Sequence, residues 1–376
     1  MSIREGENYM SKYLICNAVP TYKEAPISID ILNNSTSQVL EAINSNKAET
    51  SYIVLDQKEK ELQSKLEAEA KNYPDMNLKV ILVDGNFGFV YRNSSAILKV
   101  IEGEKPLPSS KEKNESVYTV EGLLNSESKN VYIDGSVKKK GKYTFNKKIS
   151  AREVLDAAGV KATFKGMYLG YPQSIFLGEA DLDKELEITT DYISIFDETD
   201  CILDKLKNIA EGYTKESCGR CAFGFEGVTQ INMILSDISQ KKGKTSDIPL
   251  LLDLCSEMKN QVLCEVDGTL ACTVMSAMSN FKDEIEEHIT KKVCKAGVCS
   301  KFITYHILAD KCIGCTDCID ECDDDAILGK KKFIHVIDQD ECTQCGKCVE
   351  ACDEEAIVKA GAIKPRCPQK PIPCKC

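Results

Sequence analysis

The sequence predicts a multidomain α+β protein, and three observations lead there. Short apolar strands alternate with helical stretches over residues 12–103, apolar residues recur at helical spacing between Asp204 and Ile289, and cysteines repeat regularly over residues 312–352. A chain of 376 residues can hold about two or three domains and a substantial core. The expected divisions are an α/β domain over 1–115, a strand-rich module over 116–199, a helical bundle over 200–292, a cysteine-rich domain over 293–360 and a Cys/Pro-rich tail over 361–376.

The first segment reads strand by strand. Lys12–Val19 (KYLICNAV), Ser51–Asp56 (SYIVLD) and Leu78–Asp84 (LKVILVD) are short apolar strands. Helical stretches lie around Gln38–Ile43, Lys58–Lys71 and Ser95–Ile101, so a small layer with a partly parallel sheet is expected. Gly103–Ser116 (GEKPLPSSKEKNES) is polar and carries Pro and Ser, as linkers and surface loops do. From Asn130 to about Ile195, VYIDGSV and KYTF suggest a hairpin, and a helix follows. Ser150 and Glu153 form a capping box, Val154, Leu155 and Ala158 make its apolar side, and Gly159 ends it. Two strands, a helix, then further strands predict a β-grasp-like module.

Val228, Ile231, Leu235 and Ile238 recur at helical spacing, as do Val274, Met278, Phe281, Ile285 and Ile289. With Leu250–Met258 between them they predict a helical bundle. The tail AIKPRCPQKPIPCKC is rich in Pro and is not expected to fold alone.

Two copies of C-x-x-C-x-x-C-x-x-x-C occupy the cysteine-rich domain: Cys312, Cys315, Cys318 and Cys322, then Cys342, Cys345, Cys348 and Cys352. This is the bacterial ferredoxin spacing, in which three thiolates of each run hold one cubane and the fourth crosses to the other. One 4Fe–4S cluster is therefore expected on Cys312, Cys315, Cys318 and Cys352, and a second on Cys342, Cys345, Cys348 and Cys322. Zinc sites usually stop at two C-x-x-C pairs, and a disulfide scaffold needs a secreted chain. The residue after the fourth cysteine, usually Pro, is here Asp323 or Asp353. Neither is a ligand in the ordinary pattern. Asp320, Glu321, Asp324 and Asp325 beside one cluster, and Glu350, Glu354 and Glu355 beside the other, add negative charge that favours low potentials.

Composition narrows the function classes. A net charge of −11 without a basic stripe argues against nucleic acid. No apolar run approaches a membrane span, and MSIREGENYM lacks the apolar centre of a secretory signal. Twenty cysteines in such a chain point to metal chemistry in a reducing, cytoplasmic and anaerobic setting. No Ser/His/Asp set or P-loop stands out, and the histidines are only His288, His306 and His335. No catalytic residue is assigned.

The segments ESCGRCAFGFEG, QVLCEVDG and NFKDEIEEHI, in that order around a helical bundle, closely resemble the NADH- and FMN-binding flavoprotein subunit of respiratory complex I. Soluble relatives of that subunit serve multimeric iron-only hydrogenases and NAD(P)-linked, electron-bifurcating enzymes. The resemblance continues through IFDETDCILD, GYPQS, VYIDGSVKKKGKY (the β-grasp, or SLBB-like, segment), IEGEKP and KYLICNA. The C-terminal double-cluster module looks like that of the hydrogenase branch. The resemblance implies a flavin and NAD site served by a glycine-rich loop whose backbone N–H groups cradle phosphate. This sequence offers no substitute. It has VPTYKEAP (Val19–Pro26) and GNFGFVYRNSSA (Gly85–Ala96) where the family carries glycine- and acid-rich flavin segments, leaving Gly85 and Gly88 alone. FMN and NAD are therefore not expected, and the N-terminal domain reads as a degenerate flavoprotein scaffold.

The family also binds a 4Fe–4S centre through C-x-x-C-x-x-C and a distant cysteine. Cys218 and Cys221 match, Gly224 stands at the third position, and Cys264 matches the fourth. Three thiolates can hold a cluster with an open or substituted corner, Cys255 or Cys272 can swing in, or the thiols are ordinary core residues. His288, Cys294 and Cys299, with Cys367, Cys374 and Cys376 in the tail, suit a tetrahedral zinc or a hinge staple, with Cys367 the favoured fourth ligand; a histidine ending a helix also serves as a cap. Cys16 and Cys201 lack partner spacing and read as buried thiols.

The expected function is an electron-relay subunit of a cytoplasmic multisubunit oxidoreductase: a hydrogenase, a formate dehydrogenase or an NAD(P)-linked bifurcating complex. Its partners would be other redox subunits, a ferredoxin or a flavoprotein paralogue. A divergent NAD(P)H:FMN dehydrogenase and a mainly structural docking subunit are the alternatives.

Overall fold

The structure, a computed structural model, describes residues 12–109, 114–361 and 363–374. The opening MSIREGENYM, part of the 103–116 segment and Cys376 lie outside them. The chain divides into two compact units. The first runs to Asp197 and adds Ile209–Asn232 and Leu251–Asn280. The second comprises Glu198–Asn208, Met233–Leu250 and Phe281 onward, so residues of the 200–292 segment occur in both units.

The first unit opens on a parallel sheet of β1 (Tyr13–Asn17), β2 (Thr50–Asp56), β3 (Leu78–Val83) and β4 (Val117–Thr119) in the order β3-β2-β1-β4. β4 lies past the expected boundary at 115 yet pairs with β1. Helices α1 (Ile27–Asn34), α2 (Thr36–Ser45), α3 (Lys60–Ala70), α4 (Gly88–Arg92) and α5 (Ser94–Ile101) fill the connections. Side chains alternate across a strand. Leu14 and Cys16 therefore pack with Leu32, Leu40 and Leu66, while Ile15 packs with Val54, Tyr91 and Ile97. Burial on both faces explains the unbroken apolar run YIVL in β2. The strand order reverses between β1 and β4, and such a switch point opens a crevice at the strands' carboxyl ends.

After α6 (Val120–Leu123), a second sheet joins β5 (Ser128–Gly135), β6 (Gly141–Asn146), β8 (Phe164–Leu169), β9 (Ile175–Leu177) and β11 (Tyr192–Asp197) in the order β6-β5-β11-β8-β9. Its central pair β5 and β11 is parallel and the other pairs are antiparallel. β7 (Lys148–Ser150) and β10 (Glu185–Glu187) form a small separate pair. The capping box of Ser150 and Glu153 starts α7 (Ala151–Ala158), and Gly159 ends it at φ 63°. Ala151, Val154 and Ala158 of α7 enter this sheet's core.

Lys129, 6% exposed, pairs with Glu121 and Asp191, both buried, and Arg92 lies 3.9 Å from Asp191. Removing one partner of a buried ion pair strands the other charge. Lys129→Met is expected to cost the first unit about 3–5 kcal/mol, read as a lower urea midpoint. An unchanged midpoint would show that the carboxylates find other partners.

Helices α8 (Ile202–Glu216), α9 (Ala222–Ser239), α10 (Asp247–Gln261) and α11 (Glu265–Thr290) contribute to both units, and α11 is kinked at Phe281. Within the first unit, fully buried Tyr213 shares hydrogen bonds with Ser174 Oγ at 2.6 Å and Thr269 Oγ1 at 2.9 Å.

The C-terminal part of the second unit is built twice. β12 (Thr304–Ile307) pairs antiparallel with β16 (Ile357–Ala360), and β13 (Ile327–Leu328) with β15 (Val336–Ile337). The short helices α12 (Asp317–Asp320) and α13 (Lys347–Glu350) follow residues in the left-handed region, Thr316 at φ 89° and Gly346 at φ 88°. Asp325 and Glu355 repeat that match at φ 51° and 48°. The cysteine repeat is thus a repeat of backbone shape, because tight wrapping of thiols requires these unusual turns. β14 (Phe333–Ile334) pairs with β17 (Ile372–Pro373), so part of the Pro-rich tail adds a strand to this module.

Candidate metal centres

The ferredoxin-type cysteines gather in two groups. Cys312, Cys315, Cys318 and Cys352 line one small cleft together with Ile307, Ile357 and His335. Burial pushes the Cys318 thiol up to about 12, and Cys315, Cys312 and Cys352 add to the shift. In the other group burial raises Cys348 to about 11, with Cys342, Cys345 and Cys322 adding to it. Cys345 is exposed. The first group thus gathers its thiols in a largely apolar cleft, whereas the second has Cys348 buried and Cys345 at the surface. The Ala356 N–H donates to Cys352 Sγ at 3.4 Å.

His335, 1% exposed, places Nδ1 3.3 Å from Cys318 Sγ. Its Nε2 has no hydrogen-bond partner among the described residues. Gly329 gives the ring room, since a Cβ there would lie 2.2 Å from His335 Cδ2. The imidazole tautomer sets which of the two atoms donates in this contact. Tyr305 stands 30 residues before His335, as Cys312 stands before Cys342, and burial, with Cys348, Cys345 and Cys342 beside it, raises its hydroxyl above the usual range.

A second constellation sits in the second unit. Cys201, His288, Cys294 and Cys299 are all buried, with ligand atoms within 4.8 Å of one another. Cys201 Sγ is 3.4 Å from His288 Nε2, and Cys299 Sγ is 3.6 Å from Cys201 Sγ and 3.7 Å from His288 Nε2. A tetrahedral zinc with Zn–S of about 2.3 Å and Zn–N of about 2.0 Å spaces its donors roughly 3.5–3.8 Å apart. The set fits. His288 Nδ1 bonds the Glu284 carbonyl at 2.8 Å, which leaves Nε2 free to ligate. Gly297, at φ 65°, turns the Cys294–Cys299 loop back on itself, its N–H donating to the Cys294 carbonyl at 3.1 Å. Hydrogen bonds from Cys201 and Cys299 hold the Cys294 thiol far below the ordinary range. Burial opposes charge on His288, but Cys201 and Cys294 raise it to about 10.

The group includes Cys201, which the sequence presents as a buried thiol without partner spacing, and does not include Cys367. Cys201 comes from the turn entering α8, 87 residues before His288, so no local spacing announces it. Cys374 sits instead at the ferredoxin module, its Sγ 3.6 Å from the Cys312 carbonyl oxygen.

In the first unit, Cys218 and Cys264 lie close enough for the one to raise the other's pKa. Burial comes first among the causes that bring Cys264 to about 11, followed by Asp267. Cys264 immediately precedes α11. Burial, and then Cys272, push the Cys255 thiol up to about 12. Cys16 is fully buried in the first sheet.

The switch-point crevice is lined by Asn17, Arg92, Thr119, Gln173, Thr189 and Glu265. Asn17 donates to the Tyr91 carbonyl at 2.8 Å and accepts from Val19 N–H at 3.1 Å, so its amide is committed to backbone. Gly88 serves packing: a Cβ there would meet the Pro20 and Thr21 carbonyl oxygens at 2.6 Å. From the Val19–Pro26 segment, Tyr22 stacks on Tyr192 at 4.7 Å and accepts the Tyr171 N–H at 2.7 Å.

Residues 204–288 match the family described as the NADH-ubiquinone oxidoreductase-F iron-sulfur binding region, and residues 304–360 match the 4Fe-4S dicluster domain. The chain carries both iron–sulfur domains. It is 31% identical over 205 residues to the HndC subunit of the NADP-reducing hydrogenase of Solidesulfovibrio fructosivorans, covering 50% of this chain and 41% of the relative. It is 28% identical over 181 residues to the F-type subunit of the NADH-quinone oxidoreductase of Streptomyces coelicolor, covering 43% and 39%. The chain thus spans about two-fifths of the length of these relatives. A crystal structure of NAD+-reducing [NiFe]-hydrogenase in the H2-reduced state shares the fold, with a TM-score of 0.67 at 18% identity over 74% of this chain and 57% of that one. Both matched regions are described as iron–sulfur binding, and the two relatives are named as subunits of oxidoreductases. No helix among the described residues is long and apolar enough to cross a membrane.

Proposed function

We propose that this chain relays single electrons inside a cytoplasmic hydrogenase-like or NAD(P)-linked complex. The observation that carries the reading is the doubled thiol module. Cys312, Cys315, Cys318 and Cys352 would hold one 4Fe–4S cluster, and Cys342, Cys345, Cys348 and Cys322 the other. Such clusters supply one-electron redox chemistry at low potential. The protein's part is to bury the thiols, surround them with Ile307, Ile327, Ile337 and Ile357, and aim N–H groups at sulfur. The likeness to HndC and F-type chains supports partners that are other redox subunits. The topology of residues 128–197 supports a β-grasp-like docking module.

Zinc is the ion that the Cys201, His288, Cys294 and Cys299 set suits best, in a closed structural site. His335 tunes the neighbouring cluster. Hydrogen bonds to cluster sulfur raise potential, so His335→Phe is expected to lower the midpoint potential of one cluster and leave the other unchanged. A redox titration followed by EPR reads this, and equal shifts in both clusters would contradict it.

A second reading, a divergent NAD(P)H:FMN dehydrogenase subunit, is favoured by the switch-point crevice between β1 and β4. Anaerobic purification with iron, zinc and flavin quantified and co-purifying chains identified separates the two. The relay reading expects at least about eight irons per chain and no stoichiometric FMN. Flavin bound to this chain would favour the dehydrogenase.

A further inference from the structure

We propose that Asp267 supplies the fourth ligand of a third iron–sulfur cluster, beside Cys218, Cys221 and Cys264. The proposal extends the relay reading to the first unit but stands on different residues. Gly224 leaves the third ligand position of the C-x-x-C-x-x-C spacing without a side chain. The space is not left open. A Cβ at Gly224 would lie 2.4 Å from Asp267 Oδ2, 3.1 Å from its Cγ and 2.6 Å from Cys221 Sγ. The carboxylate, reaching from the first turn of α11, occupies the volume that a side chain on α9 would need. Glycine at 224 and aspartate at 267 are therefore complementary: the one makes room for the other beside the Cys221 sulfur.

Asp267 is 1% exposed, and its Oδ1 has no hydrogen-bond partner among the described residues. No Lys or Arg among them pairs with it. The polar side chain that acts on its carboxyl is Ser217, which carries no charge. A buried carboxylate without a counter-charge is costly, and proteins keep such groups where they are paired or bind metal. Three thiols and one carboxylate make a donor set for a cluster with one distinct iron. Oxygen ligands suit iron but bind a cluster corner less tightly than thiolate does. That corner should be the one lost first.

The test uses the whole chain prepared anaerobically, with iron and acid-labile sulfide counted and EPR recorded for the oxidised and reduced protein. Unaltered protein should hold about twelve irons. Asp267→Cys should keep that count and become more resistant to oxidative iron loss. Asp267→Ala and the isosteric Asp267→Asn should lose about one iron and show a three-iron signal when oxidised, or lose about four with the whole cluster. Unchanged melting of the Asn variant shows that the fold survives. Asp267→Ala and Asp267→Asn both retaining the full iron count and spectrum would overturn the proposal. So would unaltered protein with about eight irons that Cys342→Ser reduces and Asp267→Ala does not. Iron loss from Cys342→Ser reports the C-terminal clusters alone, so the relay reading and this proposal fail separately.

Discussion

Cys201→Ser is expected to reduce zinc from about one per chain to near zero. Structural zinc binds zinc-finger peptides with about 10–16 kcal/mol of apparent free energy, and that energy exists only in the folded chain. In this protein the ion would join the turn entering α8 to the end of α11 and the Cys294–Cys299 loop, segments far apart in sequence. Losing it leaves three buried donors, one of them His288 at 1% exposure, without their shared partner. The melting temperature of the second unit should fall, and amides near Cys299 should exchange faster. Cys367→Ser is the control and should keep its zinc. Zinc retained by Cys201→Ser and lost from Cys367→Ser would reverse the assignment.

Cys318→Ser should remove one cluster, about four irons per chain, and block one-electron transfer through the module. Cys318 is 5% exposed and packs with Ile307, Ile327 and Ile337. A serine there is a weaker ligand in an apolar wall and loses the contact with His335 Nδ1. The second cluster should persist, because its expected ligands come from Cys322 and the 342–348 run. Loss of all C-terminal iron from this single substitution would mean that the two sites form only together.

What the sequence made legible follows from how local each signal is. The two cysteine runs speak plainly because three ligands wrap one cluster within a turn or two of backbone. The capping box at Ser150 is likewise a four-residue signal. Helix α1 escaped because Ile27, Ile29 and Ile31 alternate with the period of a strand. β4 escaped because three residues carry no periodicity. Cys201 gave no signal because the groups it contacts, His288 and Cys299, lie 87 and 98 residues away. Asp267 was invisible because a carboxylate in place of a cysteine follows no spacing rule. Only the close approach of its oxygen to Gly224 exposes it. The Gly85–Ala96 segment stands where the family carries a flavin segment, and Gly88 in it admits the backbone of Pro20 and Thr21.

The most direct measurement is EPR with spin counting on the anaerobically prepared chain after dithionite reduction, paired with iron and sulfide analysis before and after serine replaces all eight cysteines from Cys312 to Cys352. Two adjacent cubanes predict a magnetically coupled signal and the loss of about eight irons in the substituted chain. A colourless, EPR-silent preparation, or iron unchanged by those substitutions, would contradict the account.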